Sequence, residues 1–298
     1  MTNAVHPISM GPIAAGLLEH DGDVEVMAVF ERCCYISTVR GIACIGIEVL
    51  GDGPLNVLLT SDNAAPDWAA LGITREAKGG VAHGQLHIGD RFALGLVGLS
   101  VWLPPPWIVS TPARLAQSLL ELRRSAAPLC PVEGLSRLVF GAGRGRDRTS
   151  HAAADLVADL SKNLVTALAS DRTTPELIRT ATLLLGLGPG LTPSGDDLLG
   201  GVFLVLSAME RTRLRDELWV GLEPELDLLT VEISAAHLAA TADGLGAAAM
   251  HAALNAILAG DIASFPAHLA TLATIGHSSG FDTLAGMVLA LDALQSNM

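Results

Sequence analysis

The sequence has few basic residues, and this shortage excludes several classes of partner. Lys78 and Lys162 are the only lysines, and 18 Lys and Arg stand against 31 Asp and Glu, which gives a formal net charge of −13. A nucleic acid or an anionic membrane surface is bound through a basic patch, because its negative charge must be neutralised. We therefore expect no nucleic acid and no membrane among the partners of this protein.

Long apolar runs, a secretory leader and paired cysteines are missing as well. The most apolar stretch, residues 198–209, is shorter than the ~20 residues that span a bilayer. The N-terminus has no basic segment followed by an apolar one. The four cysteines show neither C-x-x-C nor zinc-ligand spacing. These absences predict a cytoplasmic protein.

What the sequence does contain predicts an α+β fold in two domains. Its 298 residues are 50% hydrophobic, which is enough for a sizeable core. The first hundred residues alternate short apolar, β-branched runs with turn clusters, a pattern typical of a sandwich or small barrel. Three prolines at 104–106 end this pattern, because proline cannot continue a sheet ladder. We predict a strand-rich domain at 1–106 and an α-helical domain at 107–298 that carries both glycine-rich loops.

Helical periodicity and loop composition organise the second domain. Amphipathic or apolar segments predict helices at 111–125, 150–168, 174–185, 197–209, 224–242, 245–258, 262–274 and 281–295. The glycine- and arginine-rich residues 141–148 are interpreted either as a solvated loop or as a lid that contacts substrate. The sequence shows no internal repeat of fixed period.

The strongest functional signal is the first glycine-rich loop, residues 186–197, which reads Gly-Leu-Gly-Pro-Gly-Leu-Thr-Pro-Ser-Gly-Asp-Asp. Glycines allow backbone amides to approach a ligand closely, and prolines stiffen the loop. Free amides at the start of the next helix attract phosphate or carboxylate. The residues predicted to bind substrate in this loop are Gly188, Gly190, Thr192, Ser194 and Gly195.

Two adjacent acids, Asp196 and Asp197, complicate this anion-binding loop, because carboxylates repel an anion. Two explanations stay open at this point. The acids can hold a cation such as Mg²⁺ that bridges to the substrate. Alternatively, one acid binds an amide or ammonium group while the other caps the helix. We predict Asp196 and Asp197 as catalytic residues and, in the first case, as metal ligands; no other cofactor is implied.

A second loop, residues 276–282, repeats the design with Gly-His-Ser-Ser-Gly-Phe-Asp before another apolar helix. His277 is predicted to move a proton, because a histidine side chain can act as a general acid or base. Ser278, Ser279 and Asp282 are predicted to bind substrate. The G-x-S-x-G spelling of 276–280 does not indicate a nucleophile elbow, which requires a preceding strand, whereas a helix is predicted here.

The two loops together resemble a bacterial family of uncharacterised proteins. The resemblance rests on residues 188–197 and on residues 276–286, and it covers mainly 180–290. The family includes the H subunit of oxamate carbamoyltransferase, from anaerobic allantoin degradation. The resemblance implies carbamoyl-group chemistry in purine catabolism, in which carbamoyl phosphate and oxamate give oxalurate and inorganic phosphate with the help of other subunits.

Three functional hypotheses follow from these observations. The first is a carbamoyltransferase-type enzyme or enzyme subunit that acts on a small carboxylate or amide, with partner subunits or as a homo-oligomer. The second is metal-assisted hydrolysis of a small amide or nucleotide-like substrate, with Asp196, Asp197 and Asp282 as oxygen ligands. The third is a non-catalytic subunit whose loops bind a metabolite or serve as a scaffold.

Overall fold

The computed structural model describes residues 6–60, 66–141 and 148–297, and the chain divides into two compact units, Met1–Pro104 and Pro105–Met298. Helices account for 53% of the structure and strands for 16%, which confirms the α+β class. Most of the segment interpreted as a loop or lid, residues 142–147, lies outside the described residues.

The first unit is built on one curled sheet that forms a half-barrel. Within the described residues, its strands are β1 (Pro7–Met10), β2 (Gly22–Val29), β3 (Cys33–Thr38), β4 (Gly41–Ile47), β5 (Asn56–Leu59), β6 (Lys78–Ala82), β7 (Gln85–Ile88), β8 (Phe92–Gly95) and β9 (Ser100–Val101). They follow the order β8-β7-β6-β2-β3-β4-β5-β1-β9 in one sheet, so a barrel-like sheet forms rather than a sandwich of two sheets. Most neighbours are antiparallel, and β4–β5 and β1–β9 are parallel.

Side-chain alternation explains how this sheet encloses a core. In β7 and β8, exposed and buried residues alternate, as expected when one face of a sheet meets water. Helix α1 (Pro12–Leu18) packs on β4, in which nearly every residue is buried. Strand β6 has little signal in the sequence, because Gly79 and Gly80 give it a weak strand propensity.

In its described residues, the second unit is built from helices and loops. Its helices are α2 (Pro112–Ala126), α3 (Ser136–Phe140), α4 (Arg148–Ser170), α5 (Pro175–Leu184), α6 (Ser194–Ala208), α7 (Thr212–Leu222), α8 (Leu226–Leu229), α9 (Glu232–Ala242), α10 (Ala248–Ala259), α11 (Phe265–Leu272) and α12 (Ser279–Gln295). Helices α6 and α12 lie at its centre, and almost every residue of both is buried. This burial explains the apolar run that the sequence shows at 198–209.

Two glycines bring the backbones of α6 and α12 into direct contact. A Cβ atom added to Gly201 would overlap the Thr283 carbonyl oxygen, and one added to Gly286 would overlap the Leu198 carbonyl oxygen. Contacts between the two helices follow the same order along both. Ser194 lies near Ser278 at the N-terminal ends, and Gly201 lies near Met287 further along. The helices are therefore parallel, and their N-terminal ends lie side by side.

One predicted helix, over residues 224–242, is wrong, because the structure breaks it. After a short 3₁₀ turn, α8 ends at Leu229, Thr230 is extended, and α9 begins at Glu232. The break frees the Thr230 side chain to contact the first glycine-rich loop, where its hydroxyl donates a hydrogen bond to Asp196.

Candidate functional site

The first and second glycine-rich loops meet at the adjacent starts of α6 and α12. Thr192 Oγ1 lies 2.8 Å from Ser279 Oγ, and Ser194 Oγ lies 3.5 Å from Ser278 Oγ. These hydroxyls join segments that are more than eighty residues apart in the sequence. Four of the residues predicted to bind substrate therefore form one cluster.

Glycine conformation shapes the first loop. Gly188 and Gly190 have positive φ angles of 123° and 98°, which favour glycine. A Cβ atom at Gly195 would overlap the Leu184 carbonyl oxygen, so this glycine allows the loop to fold back on the end of α5. Gly195 N donates to the Leu187 carbonyl. Of the three glycines predicted to bind substrate, Gly195 thus has a packing role, while a Cβ atom at Gly190 would lie in open space.

Asp196 is a buried hub whose two oxygens are both engaged by protein donors. Oδ1 accepts a hydrogen bond from Gly186 N at 2.8 Å. Oδ2 accepts from the hydroxyls of Thr230 and Ser234, the latter at 2.6 Å. These bonds tie the beginning of the first loop to the break between α8 and α9.

Asp197, the next residue, has a different environment. Burial raises the pKa of its carboxyl well above the ordinary value, and the nearby carboxyls of Asp282 and Asp196 raise it further, while a hydrogen bond with the Ser279 hydroxyl opposes the shift. Its buried Oδ2 has no hydrogen-bond partner among the described residues. A buried carboxyl with these properties tends to hold its proton.

Asp282 is fully buried on α12 and is held by backbone amides. Its Oδ1 accepts hydrogen bonds from Leu135 N at 2.7 Å and Ser136 N at 2.8 Å. Burial raises the pKa of the carboxyl, and the nearby hydroxyls of Ser194 and Ser278 lower it, followed by the two amides. In the described part of the chain, no donor reaches Oδ2 with hydrogen-bond geometry.

The segment before α3 closes over Asp282. A Cβ atom at Gly134 would lie 2.5 Å from Asp282 Oδ2 and 2.9 Å from Ser278 Cβ, so only glycine fits there. The thiol of Cys130 is close enough to feel the charge of Asp282, and burial raises its pKa. The sequence analysis missed this segment, because backbone amides leave no side-chain signal.

His277 lies at the surface beside this segment. Its side chain is 81% exposed, and Nε2 is 3.5 Å from Glu133 Oε2. His277 directly precedes Ser278 of the hydroxyl cluster in the sequence, and Glu133 lies beside its side chain. Its predicted role in proton transfer stays a prediction.

The starts of α6 and α12 also differ from the capping expected from the sequence. Pro193 is the N-cap of α6, which begins at Ser194, and no side chain caps it. Ser278 is the N-cap of α12, again without a side-chain cap. The hydroxyls of Ser194 and Ser278 are thus turned toward each other and toward Asp282.

Two features of the described residues bear on the metal and membrane predictions. Across the described ranges, no group of three or more His, Cys, Asp or Glu side chains is arranged to hold a metal ion. Within the same part of the chain, no helix has the length and hydropathy that crossing a membrane requires. The predicted roles of Asp196 and Asp197 as metal ligands stay predictions.

The fold and the site define an α+β protein whose two loops and two helix starts enclose buried acids and hydroxyls. Residues 184–291, which contain both loops, match the family model described as oxamate carbamoyltransferase subunit AllH. This match confirms, over residues 184–291, the resemblance to this family that the sequence shows. No solved structure matches the chain.

Proposed function

We propose that this protein is a subunit of a carbamoyltransferase of the oxamate type, with a role in allantoin degradation. The family match supports the proposal, since its description names a subunit of oxamate carbamoyltransferase. The observation that carries it is the convergence of two loops, within the matched residues, on a cluster of hydroxyls and buried carboxyls.

The chemistry of the cluster suits a small molecule with an anionic end and an amide end. The N-terminal ends of two parallel helices favour phosphate or carboxylate oxygens. Asp197 and Asp282 each have an oxygen without a partner among the described groups, and such an oxygen can accept an N–H of a carbamoyl or amide group. Carbamoyl phosphate and oxamate both combine these features. His277 supplies a group that can accept or return a proton at the surface.

The proposal includes partner subunits, because the matched family is described as a subunit. The purified chain should be tested alone and then with candidate partner subunits, by following phosphate release from carbamoyl phosphate in the presence of oxamate. Oxamate-dependent phosphate release is expected with the partners present.

Two isosteric variants, Asp197→Asn and Asp282→Asn, test whether this chain contributes the chemistry. Loss of a carboxyl that holds the substrate by a hydrogen bond costs about 1.5–3 kcal/mol, which is on the order of 10-fold or more in turnover. We expect each variant to lose at least that much while it still assembles with the partners. Ser234→Ala, which changes a buried hydroxyl on Asp196, is the matched control. Full turnover by a folded Asp197→Asn, Asp282→Asn double variant would contradict the proposal and would favour a scaffolding role.

A further inference from the structure

The segment of residues 130–136, here called the strap, lies over Asp282. Only its last residue, Ser136, is helical, as the first residue of α3. Val132 is 82% exposed, whereas Leu135 and Ser136 are buried, at 6% and 0% exposure. The strap is therefore a surface segment whose C-terminal end is buried beside the acid.

The strap covers both oxygens of the Asp282 carboxyl. The amides of Leu135 and Ser136 donate to Oδ1, at 2.7 Å and 2.8 Å. Gly134 lies against Oδ2, because its φ is 91° and a Cβ atom added to it would come within 2.5 Å of that oxygen. Oδ2 is buried and has no hydrogen-bond partner among the described residues. A ligand therefore cannot reach this carboxyl while the strap is in place.

The donors that the strap offers to Asp282 have the same chemistry as the amide end of the proposed substrates. A peptide N–H and an N–H of carbamoyl phosphate or oxamate are both amide donors, and a carboxylate oxygen accepts either. Oδ1 already accepts two such bonds, which fill its two lone-pair sites. The strap and the amide end of a ligand therefore compete for the same carboxyl.

Two buried polar atoms under the strap are left unpaired by the protein. In the described part of the chain, neither Asp282 Oδ2 nor Ser136 Oγ has a hydrogen-bond partner. Asp196 shows the contrast, because protein donors engage both of its oxygens. An unpaired buried group lowers stability, so a purely structural anchor is expected to pair all its polar atoms. The unpaired atoms under the strap thus indicate a site that another molecule completes.

We propose that the strap is an autoinhibitory segment, which holds Asp282 with its own amides and is displaced by the amide end of a carbamoyl- or oxamate-type ligand. The inference rests on the proposed function and deepens it, because it identifies the contact that controls access to one of the acids. Asp282 contacts the ligand, and Gly134 is a positioning residue. Leu135 resists the opening, since its side chain packs in the core of the second unit.

Hydrogen exchange of the full chain without ligand tests the contact itself. Mass spectrometry of peptides that contain Leu135 and Ser136 should show slow exchange, because both amides are hydrogen-bonded in a buried place. Asp282→Ala removes the acceptor and should speed this exchange about tenfold or more, which is one hydrogen bond to a charged group. Asp197→Ala, which removes the other acid, is the matched control. Unchanged exchange in Asp282→Ala would overturn the inference.

Ligand affinity separates an autoinhibitory strap from a supporting one by its sign. The measurement is the apparent Kd of the full chain for oxamate, by titration calorimetry. Gly134→Ala weakens the strap by placing a methyl group on Asp282 Oδ2, and Leu135→Ala weakens it by removing the apolar anchor while both amides stay. If the open state is populated at about 10% in the wild type, each variant should bind oxamate about tenfold more tightly.

Gly141→Ala is the matched control at the other end of α3. Its φ is 78°, close to that of Gly134, but nothing lies within 4 Å of an added Cβ atom. This variant introduces similar backbone strain without touching Asp282, so its Kd for oxamate should equal that of the wild type. Binding that appears only in the two strap variants also supports the proposal. Weaker or unchanged binding in both, or no binding by any form, would contradict it.

The wild type with saturating oxamate separates this inference from the proposed function. Exchange at Leu135 and Ser136 should become faster, because the ligand replaces the strap at Asp282. Slower or unchanged exchange would mean that the strap closes over the ligand or ignores it, and the inference would then be wrong even if turnover is found. Faster exchange without phosphate release in the presence of any partner would reject the proposed transferase and leave the strap standing.

Discussion

The starts of α6 and α12 share the pattern Ser-Gly-x-Asp-x-Leu-x-Gly, at residues 194–201 and 279–286, yet they are anchored in different ways. At the start of α6, the anchor is polar: Asp196 binds one amide and two hydroxyls. At the start of α12, the equivalent residue is Phe281, which is buried in the hydrophobic core. The acids that follow are also held differently: two backbone amides donate to Asp282, whereas within the described residues no backbone amide donates to the Asp197 carboxyl. The site therefore repeats its acid and serine positions while its supports differ.

The largest expected effect comes from removal of the polar anchor. Asp196→Ala leaves three donors without their acceptor, of which the Ser234 hydroxyl is buried and the Gly186 amide and Thr230 hydroxyl are half-buried. A buried donor without a partner costs about 1–3 kcal/mol, and a half-buried one costs less. We expect the free energy of unfolding, measured by urea denaturation, to fall by roughly 3 kcal/mol or more. Asp197→Ala is the matched control next to it and should cost much less, because its Oδ2 has no partner among the described residues. Similar losses in both variants would remove the distinction between the two acids.

A somewhat smaller effect is expected at the contact that the two helices share. Gly201→Ala and Gly286→Ala each place a methyl group on a carbonyl oxygen of the other helix. Overpacking of this kind costs about 1–3 kcal/mol, and calorimetry should show a similar loss for both variants.

Gly200→Ala provides the control within the same helix. Its Cβ atom would meet only the Thr241 side chain, at 3.3 Å, and alanine has the better helix propensity. We therefore expect Gly200→Ala to stay within about 1 kcal/mol of the wild type. A Gly201→Ala variant as stable as the wild type would mean that α6 and α12 can move apart without loss of stability.

Asp197 and Asp282 should make stability depend on pH in a definite direction. A carboxyl whose pKa is higher in the folded protein than its ordinary 3.8 binds more protons when folded. The contribution of such a carboxyl to the free energy of unfolding is greatest below pH 3.8, falls as the pH rises toward the folded pKa, and is constant above that pKa. Asp197→Asn and Asp282→Asn remove this penalty, so the urea midpoint should fall less with rising pH in each variant than in the wild type. An unchanged slope in both variants would show that neither acid carries a raised pKa.

The smallest effect on stability is expected at His277. Its side chain is largely exposed, and its contact with Glu133 lies at the surface, where even a charged pair typically contributes only about 0–1 kcal/mol. His277→Gln should leave the thermal midpoint nearly unchanged. If His277 moves a proton in the reaction, the same variant should lower turnover and alter its pH profile, whereas Glu133→Gln should leave turnover almost intact.

The sequence supports the fold class and the identity of the two loops, because both depend on local chemistry. Strand-like runs, helical periodicity and clusters of glycine, hydroxyl and acid are visible without coordinates. The different environments of Asp196 and Asp197 are not visible, since neighbouring residues on a helix point about 100° apart and only packing decides which one meets the break after α8. The hydrogen bonds from the amides of Leu135 and Ser136 to Asp282 could not be predicted from the sequence either, because any residue type except proline supplies an N–H.

The glycines at the α6–α12 contact limit how this site can move. Gly201 and Gly286 leave no side chain between the backbones of α6 and α12. Because no layer of side chains separates the two helices, they cannot slide or repack, and their starts behave as one rigid body. Opening and closing around a ligand therefore has to come from parts that rest on this body from outside. The chain from Cys130 to Ser136, which covers Asp282 through one glycine and two amides, is the part placed to do so.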